Sequence, residues 1–519
     1  MPARASQPNI LLVFSDQHRW CDLGCSGNPE VRSPHLDAFA RRAVRATSCI
    51  SNAPLCVPSR GTLLTGLYPL RHGAVSNDLP LRPDVTTIGA ALAGAGYDTG
   101  YIGKWHLAGV PRDRCIPAGP GRFGFATWKV CNCSHAYMDA YYYDEADRRI
   151  PIEGYEPVAQ TDLAIDFIRR RRDRPWALVL SWGPPHDPYF AVPDRYLQEY
   201  ASRDLHLRPN VPETDGLAAP EHRSPEASFA APEHRSPEAS FAAREHRSPQ
   251  ASFAAREHRS PQASFAAREH RSPQGSLARR LSREQVTRNY RGYYAHITAL
   301  DEQFGRLTAA LAASGQAEDT IVVYTSDHGD MLGSQGLTNK QLPYEESVRV
   351  PLLVSWPGHT RVGTSDGLIG LVDLPVSLLG LAGVDLPGKP DGLDLHALFV
   401  DPAARGREEC YIFDLIPCHQ AAARGGTEWR GVRTRRHTFA RSAGDGGFAL
   451  FDNERDPFQL HNLVDDPAHA ALREELRGRC AALTAAHDAL LPWEELVRRY
   501  GLLEEWNRSQ AYFRLPLLG

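Results

Sequence analysis

Two short, continuously apolar segments lie far apart in the chain, and each ends abruptly in polar residues. Residues 10–14 lead into Asp16 and Gln17, and residues 320–326 lead into Asp327 and His328. Uninterrupted apolar runs of this length are typical of strands buried on both faces, as in a parallel sheet. Ligands bind at the carboxyl ends of such strands in open α/β sheets. The sequence therefore predicts an α/β fold with a binding site where these two strands end.

The polar residues at the two strand ends form a candidate metal site. They are Asp16, Gln17, Asp327 and His328. Three oxygen donors and one nitrogen suit a divalent cation such as calcium, magnesium or manganese. Taken alone, Asp16 is better explained as a cap or turn residue. The metal hypothesis depends on both strands belonging to one sheet.

Cys56 opens a segment that suits an anion-binding helix terminus. Cys-Val-Pro-Ser-Arg leads directly into an apolar run that starts at Gly61. Pro58 fits a first helical turn, and Arg60 would project back towards the cysteine. Unpaired N–H groups at such a terminus favour an anion, so the spacing is compatible with a tetrahedral oxyanion. The alternative is that Cys56 is a small buried side chain.

Further polar residues follow other strand-like segments. Lys104 and His106 come after the alternating segment 98–102, and two residues apart on an extended backbone they would point to the same side. His186 follows the apolar run 177–182, where a histidine that only packs in a turn is an equal alternative. Lys340 lies thirteen residues after Asp327. Asn77 is a weaker candidate for touching substrate.

The Cys56-Val-Pro-Ser-Arg60 motif, followed by Gly-x-Leu-Leu-Thr-Gly, resembles the signature of the sulfatase family. The other motifs lie in the family's order. The resemblance implies an alkaline-phosphatase-like α/β fold, in which helices sandwich a large, mixed, mostly parallel sheet and a smaller α+β subdomain follows. It also implies that a formylglycine-generating enzyme converts Cys56 to formylglycine (3-oxoalanine).

The resemblance assigns a divalent cation to the strand ends, Ca²⁺ first, with Mg²⁺ and Mn²⁺ as alternatives. Its implied ligands are Asp16, Gln17, modified Cys56, Asp327 and His328. Gln17 and His328 depart from the family's commonest set, so the identity of the metal stays open. Arg60 would steady the modified residue.

The remaining candidates take substrate roles by the same resemblance. Lys104 and Lys340 would bind sulfate oxygens, and His186 would assist departure of the alcohol. His106 would accept a proton when sulfate is expelled. Lys104, His186, Lys340 and Asn77 form the predicted substrate site.

The function implied by the resemblance is hydrolysis of a sulfate monoester to an alcohol and inorganic sulfate. A small sulfated sugar, an aryl sulfate or choline sulfate would fit. One alternative is a phosphonate monoester or phosphodiester hydrolase of the same superfamily, which Lys104 and His106 disfavour. Another is a binding protein in which Cys56 is never modified.

The length of 519 residues exceeds one ordinary core and predicts a large domain with an appendage. We predict a catalytic domain over residues 1–407 and a C-terminal subdomain over 408–519. In the latter, residues 429–434 and 449–452 predict antiparallel strands, and residues 468–490 an amphipathic helix.

A twelve-residue unit, Ala-Pro-Glu-His-Arg-Ser-Pro-Glu-Ala-Ser-Phe-Ala, recurs five times from Ala219, with substitutions in the later copies. Each copy carries a Ser-Pro and at most one phenylalanine, which buries little area. Residues 219–278 therefore predict a disordered or loosely packed insertion.

Charge and cysteine usage bear on partners and compartment. Lys and Arg total 58 against 62 Asp and Glu, and this balance gives no reason to expect nucleic acid or a membrane surface as a partner. Residues 10–14 are too short a run for a signal-peptide core or a membrane span. The ten cysteines lack the dense spacing of a secreted disulfide scaffold. We therefore expect a cytoplasmic protein.

Overall fold

The computed structural model describes residues 7–212, 281–401, 403–423, 425–442 and 447–519. These residues form a ten-stranded sheet, a four-stranded sheet and the helices around them. The predicted α/β class, with a large mixed sheet and a smaller C-terminal sheet, is confirmed. The repeat insertion predicted at residues 219–278 lies outside the described residues.

The elements are numbered in chain order. The large sheet contains β1 (Asn9–Asp16), β2 (Val44–Ile50), β3 (Asp98–Lys104), β4 (Thr127–Cys131), β5 (Ala140–Tyr143), β6 (Arg149–Ile152), β7 (Trp176–Pro185), β8 (Thr320–Ser326), β9 (Arg349–Ser355) and β10 (Gly363–Gly370). The small sheet contains β11 (Glu409–Asp414), β12 (Trp429–Thr434), β13 (His437–Arg441) and β14 (Ala449–Asp452). The α-helices are α1 (Pro34–Ala40), α2 (Cys56–Thr65), α3 (Pro69–His72), α4 (Ile88–Gly94), α5 (Glu156–Arg169), α6 (Asp194–Ala201), α7 (Arg283–Ala313), α8 (Glu345–Val348), α9 (Leu374–Leu381), α10 (Ala397–Val400), α11 (His419–Ala422), α12 (Ala470–His487), α13 (Trp493–Arg499) and α14 (Leu503–Tyr512).

The strand order of the large sheet is β10-β2-β9-β8-β1-β7-β3-β4-β5-β6. Strands β8, β1, β7, β3 and β4 run parallel to one another, whereas β9 is antiparallel to both of its neighbours, β2 and β8. Strand β2 therefore has the direction of β8. The carboxyl ends of β2, β8, β1, β7 and β3 consequently meet at one edge of the sheet.

Strand β1 is buried on both of its faces, which explains its unbroken apolar sequence. Leu11 and Val13 belong to an apolar core that includes Phe304 of α7. Ile10, Leu12 and Phe14 belong to a second core, on the side of α2, α4 and α9. Burial of one such side chain contributes roughly 1.5–3 kcal/mol to folding, so the strand tolerates polar residues only at its ends.

The C-terminal residues form an antiparallel sheet in the order β11-β12-β13-β14. Helix α12 packs on one side through Leu476 and Cys480, and the other side packs against residues of the large sheet through Ile412 and Trp429. The predicted strands 429–434 and 449–452 are confirmed, and the helix predicted over 468–490 is α12. The predicted domain boundary, between residues 407 and 408, falls just before β11.

Membrane-crossing segments are absent from the described part of the chain, where no helix is both long and apolar enough to span a bilayer.

Candidate active site

Helix α2 begins at Cys56, as predicted, and every one of its residues is buried. Leu55, the residue before it, has an extended backbone and provides no side-chain cap. The side-chain oxygen of Asn77 instead accepts a hydrogen bond from the backbone N–H of Val57, at 3.2 Å. Asn77 therefore contacts the start of α2, and its predicted contact with substrate stays a prediction.

Four buried residues bring candidate metal ligands together at this helix start. They are Asp16, Cys56, Asp327 and His328, and one ligand atom from each lies within 4.8 Å of all the others. Cys56 Sγ is 3.6 Å from Asp16 Oδ1 and 3.3 Å from His328 Nε2. The two strand ends predicted from sequence therefore meet at Cys56.

The donor set at this cluster fits a divalent cation. His328 Nδ1 lies 2.9 Å from the carbonyl oxygen of Gly329, so Nδ1–H donates there and Nε2 faces the cluster, where it can bind a cation when it carries no proton. Two carboxylates and one imidazole nitrogen are ligands that calcium, magnesium and manganese sites use in various proportions. The side-chain oxygen of Gln17, the other predicted ligand, accepts from Lys340 Nζ, and its Nε2 donates to Asp330 Oδ2 at 2.6 Å. Its role as a metal ligand stays a prediction.

The pKa values of the two carboxylates in the cluster are shifted in opposite directions. Burial would raise the pKa of Asp16, but Lys104, His186 and Arg60 hold it well below its ordinary value. Burial and the adjacent Asp16 carboxylate raise the pKa of Asp327. Two like charges at this separation resist ionising together, and a cation between them would favour ionisation of both.

Arg60 ties both carboxylates to the surrounding strands. Its Nη2 is 3.0 Å from Asp16 Oδ2, and its Nε is 3.0 Å from Asp327 Oδ2. Its Nη1 donates to the carbonyl oxygen of Lys104 at 2.9 Å and to Ser181 Oγ at 2.7 Å. The guanidinium of Arg60 thereby joins Asp16, at the end of β1, and Asp327, just after β8, to the ends of β3 and β7.

Lys104 and Lys340 bring two further cations to the same place. Lys104 Nζ donates to Asp16 Oδ2 at 2.7 Å, and Lys340 Nζ donates to the side-chain oxygen of Gln17. Burial would lower the pKa of each lysine, but the adjacent negative groups outweigh burial and raise it. Both side chains therefore carry positive charge beside Cys56.

The pKa of Cys56 is held well below its ordinary value, although burial and Asp16 would raise it. The opposing cause is the positive charge of Lys340, Lys104 and His328. Adjacent cations favour the thiolate, the reactive form of a cysteine, whereas a thiol in apolar surroundings stays protonated.

His106 is paired with a carboxylate that the sequence analysis missed. His106 Nε2 is 3.5 Å from Asp78 Oδ1, and Arg112 holds Asp78 through two contacts of 2.8 Å each. Burial would lower the pKa of His106, but Cys133 and Asp78 raise it to about 10. His106 has a φ of +59°, so its backbone is not extended. The prediction that an extended backbone points His106 to the same side as Lys104 is therefore wrong.

Phe513, which follows helix α14, packs against the arginine that holds Asp78. The ring of Phe513, just after α14, lies 4.8 Å from the guanidinium carbon of Arg112 and stacks on His419 at 3.9 Å. Arg112 in turn holds Asp78. The C-terminal subdomain therefore supports the catalytic side of the large sheet.

His186 stacks on a second histidine that sequence reasoning also missed. The rings of His186 and His135 are parallel, with their centroids 4.4 Å apart. His186 Nδ1 is 2.7 Å from the carbonyl oxygen of Asp187, and His135 Nε2 is 3.3 Å from Lys104 Nζ. Burial and the adjacent His186 hold the pKa of His135 well below its ordinary value. His135 is therefore neutral and accepts a hydrogen bond from Lys104.

Comparison with known proteins places this site in context. A family model described as Sulfatase matches residues 8–384, and one described as the C-terminal part of N-sulphoglucosamine sulphohydrolase matches residues 333–486. The chain is 33% identical to an ulvan-active sulfatase of Formosa agariphila over 478 residues, which cover 91% of this chain and 80% of the relative.

A more distant relative and a solved structure agree with this match. An N-acetylglucosamine-6-O-sulfatase of Bacteroides thetaiotaomicron is 26% identical over 489 residues, covering 91% of this chain and 85% of the relative. The crystal structure of the putative sulfatase yidJ of Bacteroides fragilis superimposes with a TM-score of 0.73 at 25% identity, covering 94% of this chain and 98% of that chain.

Proposed function

The chain belongs to the sulfatase family and is a sulfuric ester hydrolase, and from this premise we propose that it removes sulfate from a sugar ester, using formylglycine formed from Cys56 and a bound divalent cation. The observation that carries the proposal is the arrangement at the start of α2. There the Cys56 thiol lies among two carboxylates, an imidazole and two buried lysines.

The cation is proposed to be calcium, with magnesium and manganese as alternatives, held by Asp16, Gln17, Asp327 and His328. When bound, it would supply positive charge that favours an anionic nucleophile and offsets the charge of the sulfate ester. Formylglycine, formed from Cys56 and hydrated, would supply a hydroxyl nucleophile. Arg60 offsets the charge of the two carboxylates through their Oδ2 atoms, and Asp16 Oδ1 faces Cys56 at 3.6 Å.

Lys104 and Lys340 offset the negative charge of the sulfate ester. Because both ammonium groups are buried and preorganised, they do not have to be desolvated or reoriented as charge develops on the sulfate oxygens. His135 accepts one N–H of Lys104, which orients the lysine.

Two histidines are proposed to handle protons. His186 gives a proton to the departing alcohol oxygen through Nε2, because Nδ1–H is bonded to the carbonyl of Asp187. His106, held by Asp78, accepts the proton released when sulfate departs. In the thiol form the pKa of His106 is about 10, and Cys56 is among the groups that raise it. Conversion of the thiol removes that contribution, whereas the larger contributions of Cys133 and Asp78 remain. The proposed role requires the neutral form of His106.

A sugar alcohol is favoured by the names of two relatives. One is called ulvan-active and the other an N-acetylglucosamine-6-O-sulfatase. A phosphonate monoester or phosphodiester hydrolase is the alternative. The charged pair of Lys104 and His106 disfavours it, and parallel assays with sulfate and phosphonate esters distinguish the two activities.

We propose a cytoplasmic location and a formylglycine-generating enzyme as partner. The location is supported by the cysteines, all ten of which are free in the structure. Fractionation of the native host, followed by detection of the protein, tests it.

The function is tested by mass spectrometry of the peptide that contains Cys56, with protein co-produced with a formylglycine-generating enzyme. We expect a loss of about 18 Da, from replacement of the thiol by an aldehyde at a reactive cysteine. We also expect turnover of sulfate esters, which Cys56→Ser should abolish. An unmodified thiol, or equal turnover by Cys56→Ser, would contradict the proposal.

A further inference from the structure

The side-chain amide of Gln17 forms a hydrogen bond at each of its two polar atoms. Its Nε2 donates to Asp330 Oδ2 at 2.6 Å, and its Oε1 accepts from Lys340 Nζ. An ionised carboxylate only accepts hydrogen bonds and an ammonium group only donates them, so both partners require the same orientation of the amide. The nitrogen of Gln17 is therefore turned towards Asp330, and the oxygen is turned towards Lys340.

Asp330 is fully buried and is itself held in place by two further donors. Its Oδ1 accepts the backbone N–H of Leu332 at 2.9 Å, and its Oδ2 accepts the hydroxyl of Tyr189 at 2.6 Å. Burial and the Asp330 carboxylate raise the pKa of Tyr189 well above its ordinary value, so this hydroxyl keeps its proton and donates. The carboxylate that contacts Gln17 is therefore fixed independently of Gln17.

The backbone of Gln17 is fixed as well. Its N–H donates to Asp327 Oδ1 at 3.0 Å, and its carbonyl oxygen accepts the hydroxyl of Tyr293 at 2.7 Å. The φ of Gln17 is +70°, a strained conformation for a residue with a side chain, which persists only where the surrounding structure holds it. The folded protein therefore sets both the backbone and the side chain of Gln17 before a cation binds.

The Asp330 carboxylate gives a physical reason for an amide at position 17, where the chain departs from the family's commonest ligand set. A carboxylate at position 17 would lie against that of Asp330, and two buried like charges resist ionising together. An amide avoids this repulsion, because its nitrogen donates to Asp330 and its oxygen remains directed to the other side.

We propose that Asp330 is a positioning residue that makes Gln17 an oxygen ligand, because it holds the amide nitrogen and leaves the amide oxygen to face the cation site. The proposal rests on the sulfatase function proposed above, in which Gln17 belongs to that site. Without Asp330, the amide is free to turn over and present its N–H groups, which do not bind a cation. Replacing a group that orients a metal ligand typically changes metal affinity 10–100-fold.

The experiment measures cation binding and does not depend on turnover. The full-length, modified enzyme is freed of metal by chelation and titrated with Ca²⁺, Mg²⁺ and Mn²⁺ in a calorimeter. Asp330→Asn and Asp330→Ala both remove the carboxylate that Gln17 contacts. Asp301→Asn is the control, because Asp301 is also buried and its two oxygens accept the backbone N–H groups of His35 and Leu36, at 3.1 and 2.7 Å, at the start of α1.

We expect both Asp330 variants to bind the cation 10–100-fold more weakly than the unsubstituted enzyme. Asp301→Asn should lower the midpoint of urea unfolding and leave the affinity for the cation unchanged. Combination with Gln17→Ala distinguishes orientation from other effects of Asp330. A lost negative charge or a damaged fold would weaken binding equally with Gln17 or Ala at position 17, whereas a positioning role requires Gln17.

A second combination, Gln17→Glu with Asp330→Asn, has the same net charge as the unsubstituted enzyme. A carboxylate has an oxygen on each side, so it needs no partner to turn an oxygen towards the cation. We expect this double variant to recover the affinity to within about threefold of the unsubstituted enzyme, or to exceed it.

Unchanged affinity in both Asp330 variants would overturn the proposal, and so would an equal loss of affinity with Gln17 or Ala at position 17. An unsubstituted enzyme that binds none of the three cations would overturn both the cation site and the role of Asp330. Failure of the proposed sulfatase function is a different result, namely a modified enzyme that binds the cation but cleaves no sulfate ester.

Discussion

Two groups of fully buried arginines and carboxylates lie in different parts of the molecule and use similar distances. At the active site, Arg60 contacts Asp16 and Asp327, both at 3.0 Å. Where the small sheet meets the large domain, Arg433 contacts both oxygens of Glu345, at 2.7 and 3.0 Å. Distance and burial therefore do not distinguish a catalytic group of charges from a structural one.

The two groups differ in how the carboxylate oxygens are used. Both oxygens of Glu345 are paired with guanidinium groups, because Arg349 also contacts Oε2 at 3.2 Å. Arg60 contacts only the Oδ2 atoms of its two partners. Asp16 Oδ1 faces Cys56 and His328, whereas Asp327 Oδ1 lies 3.7 Å from His328 Nε2 and accepts hydrogen bonds from the backbone N–H groups of Gln17 and His328. The comparison teaches that each carboxylate of the metal cluster keeps one oxygen that no guanidinium contacts.

Removal of divalent cations should have the largest effect and should separate the two groups most clearly. We expect a chelator to lower the turnover of the modified enzyme by ~10³-fold or more, because Asp16 and Asp327 then hold no cation to offset the charge of the ester. Addition of calcium should restore turnover. Activity that persists after exhaustive chelation, with no metal detected by mass spectrometry, would contradict the metal hypothesis.

Replacement of Arg60 by Met should lower kcat by roughly 10²–10³-fold, because both carboxylates lose the guanidinium that orients and neutralises them. Arg433→Met is the matched variant from the structural group. It should lower the midpoint of urea unfolding and leave kcat per folded molecule unchanged. Equal losses of kcat in the two variants would remove the distinction between the groups.

Asp78→Asn should lower kcat about a hundredfold with little change in KM, because Asp78 contacts His106 and no contact joins it to the lysines proposed to bind sulfate. The pKa of His106, about 10 with the carboxylate present, should fall, so the limb of the pH–rate profile that His106 controls moves to lower pH. Asp84→Asn is the control, since Asp84 is 65% exposed. An unchanged pH profile would contradict the positioning role.

Glu345→Gln should have the smallest effect on turnover but a large effect on stability, roughly 3–5 kcal/mol, because it leaves buried guanidinium groups unpaired. Arg433 and Arg349 outweigh burial and lower the pKa of Glu345 to about 2, from an ordinary 4.5. The stabilisation is therefore present above about pH 4.5 and is lost as the pH falls towards 2.

Urea unfolding at several pH values measures this effect. The variant should lose the part of the pH dependence between about pH 2 and 4.5, whereas Glu454→Gln, at a 64% exposed position, should retain it. A Glu345→Gln variant as stable as the parent protein would show that the structural pair contributes nothing to folding.

The sequence alone predicted the parts of the site that depend on short-range patterns. The strands that carry Asp16 and Asp327 are apolar because they are buried on both faces, and their ends are therefore visible in the sequence. The start of α2 at Cys56 follows from proline and arginine spacing within two turns. In each case the deciding interaction is local or repeats along one element.

The parts that were missed depend on contacts between distant elements. Asp78 and His106 meet through turns, and both residues have positive φ, which no periodicity predicts. Helix α7 was not predicted either. Its buried side carries several tyrosines, and Gly292 lies so close to Tyr189 that a Cβ would approach the Tyr189 carbonyl oxygen to 2.4 Å. Glycine and tyrosine at these positions reflect packing partners rather than helix propensity.

The burial of Cys56, which is 1% exposed, sets an order of events during synthesis. Asp327 is made 271 residues after Cys56, so the thiol is enclosed only when β8 has been added beside β1. At roughly 5–20 residues per second, translation of that interval takes about 15–55 s. If Cys56 is modified as proposed, the modifying enzyme must reach it within that interval or before the finished chain folds, and slower synthesis should therefore raise the modified fraction.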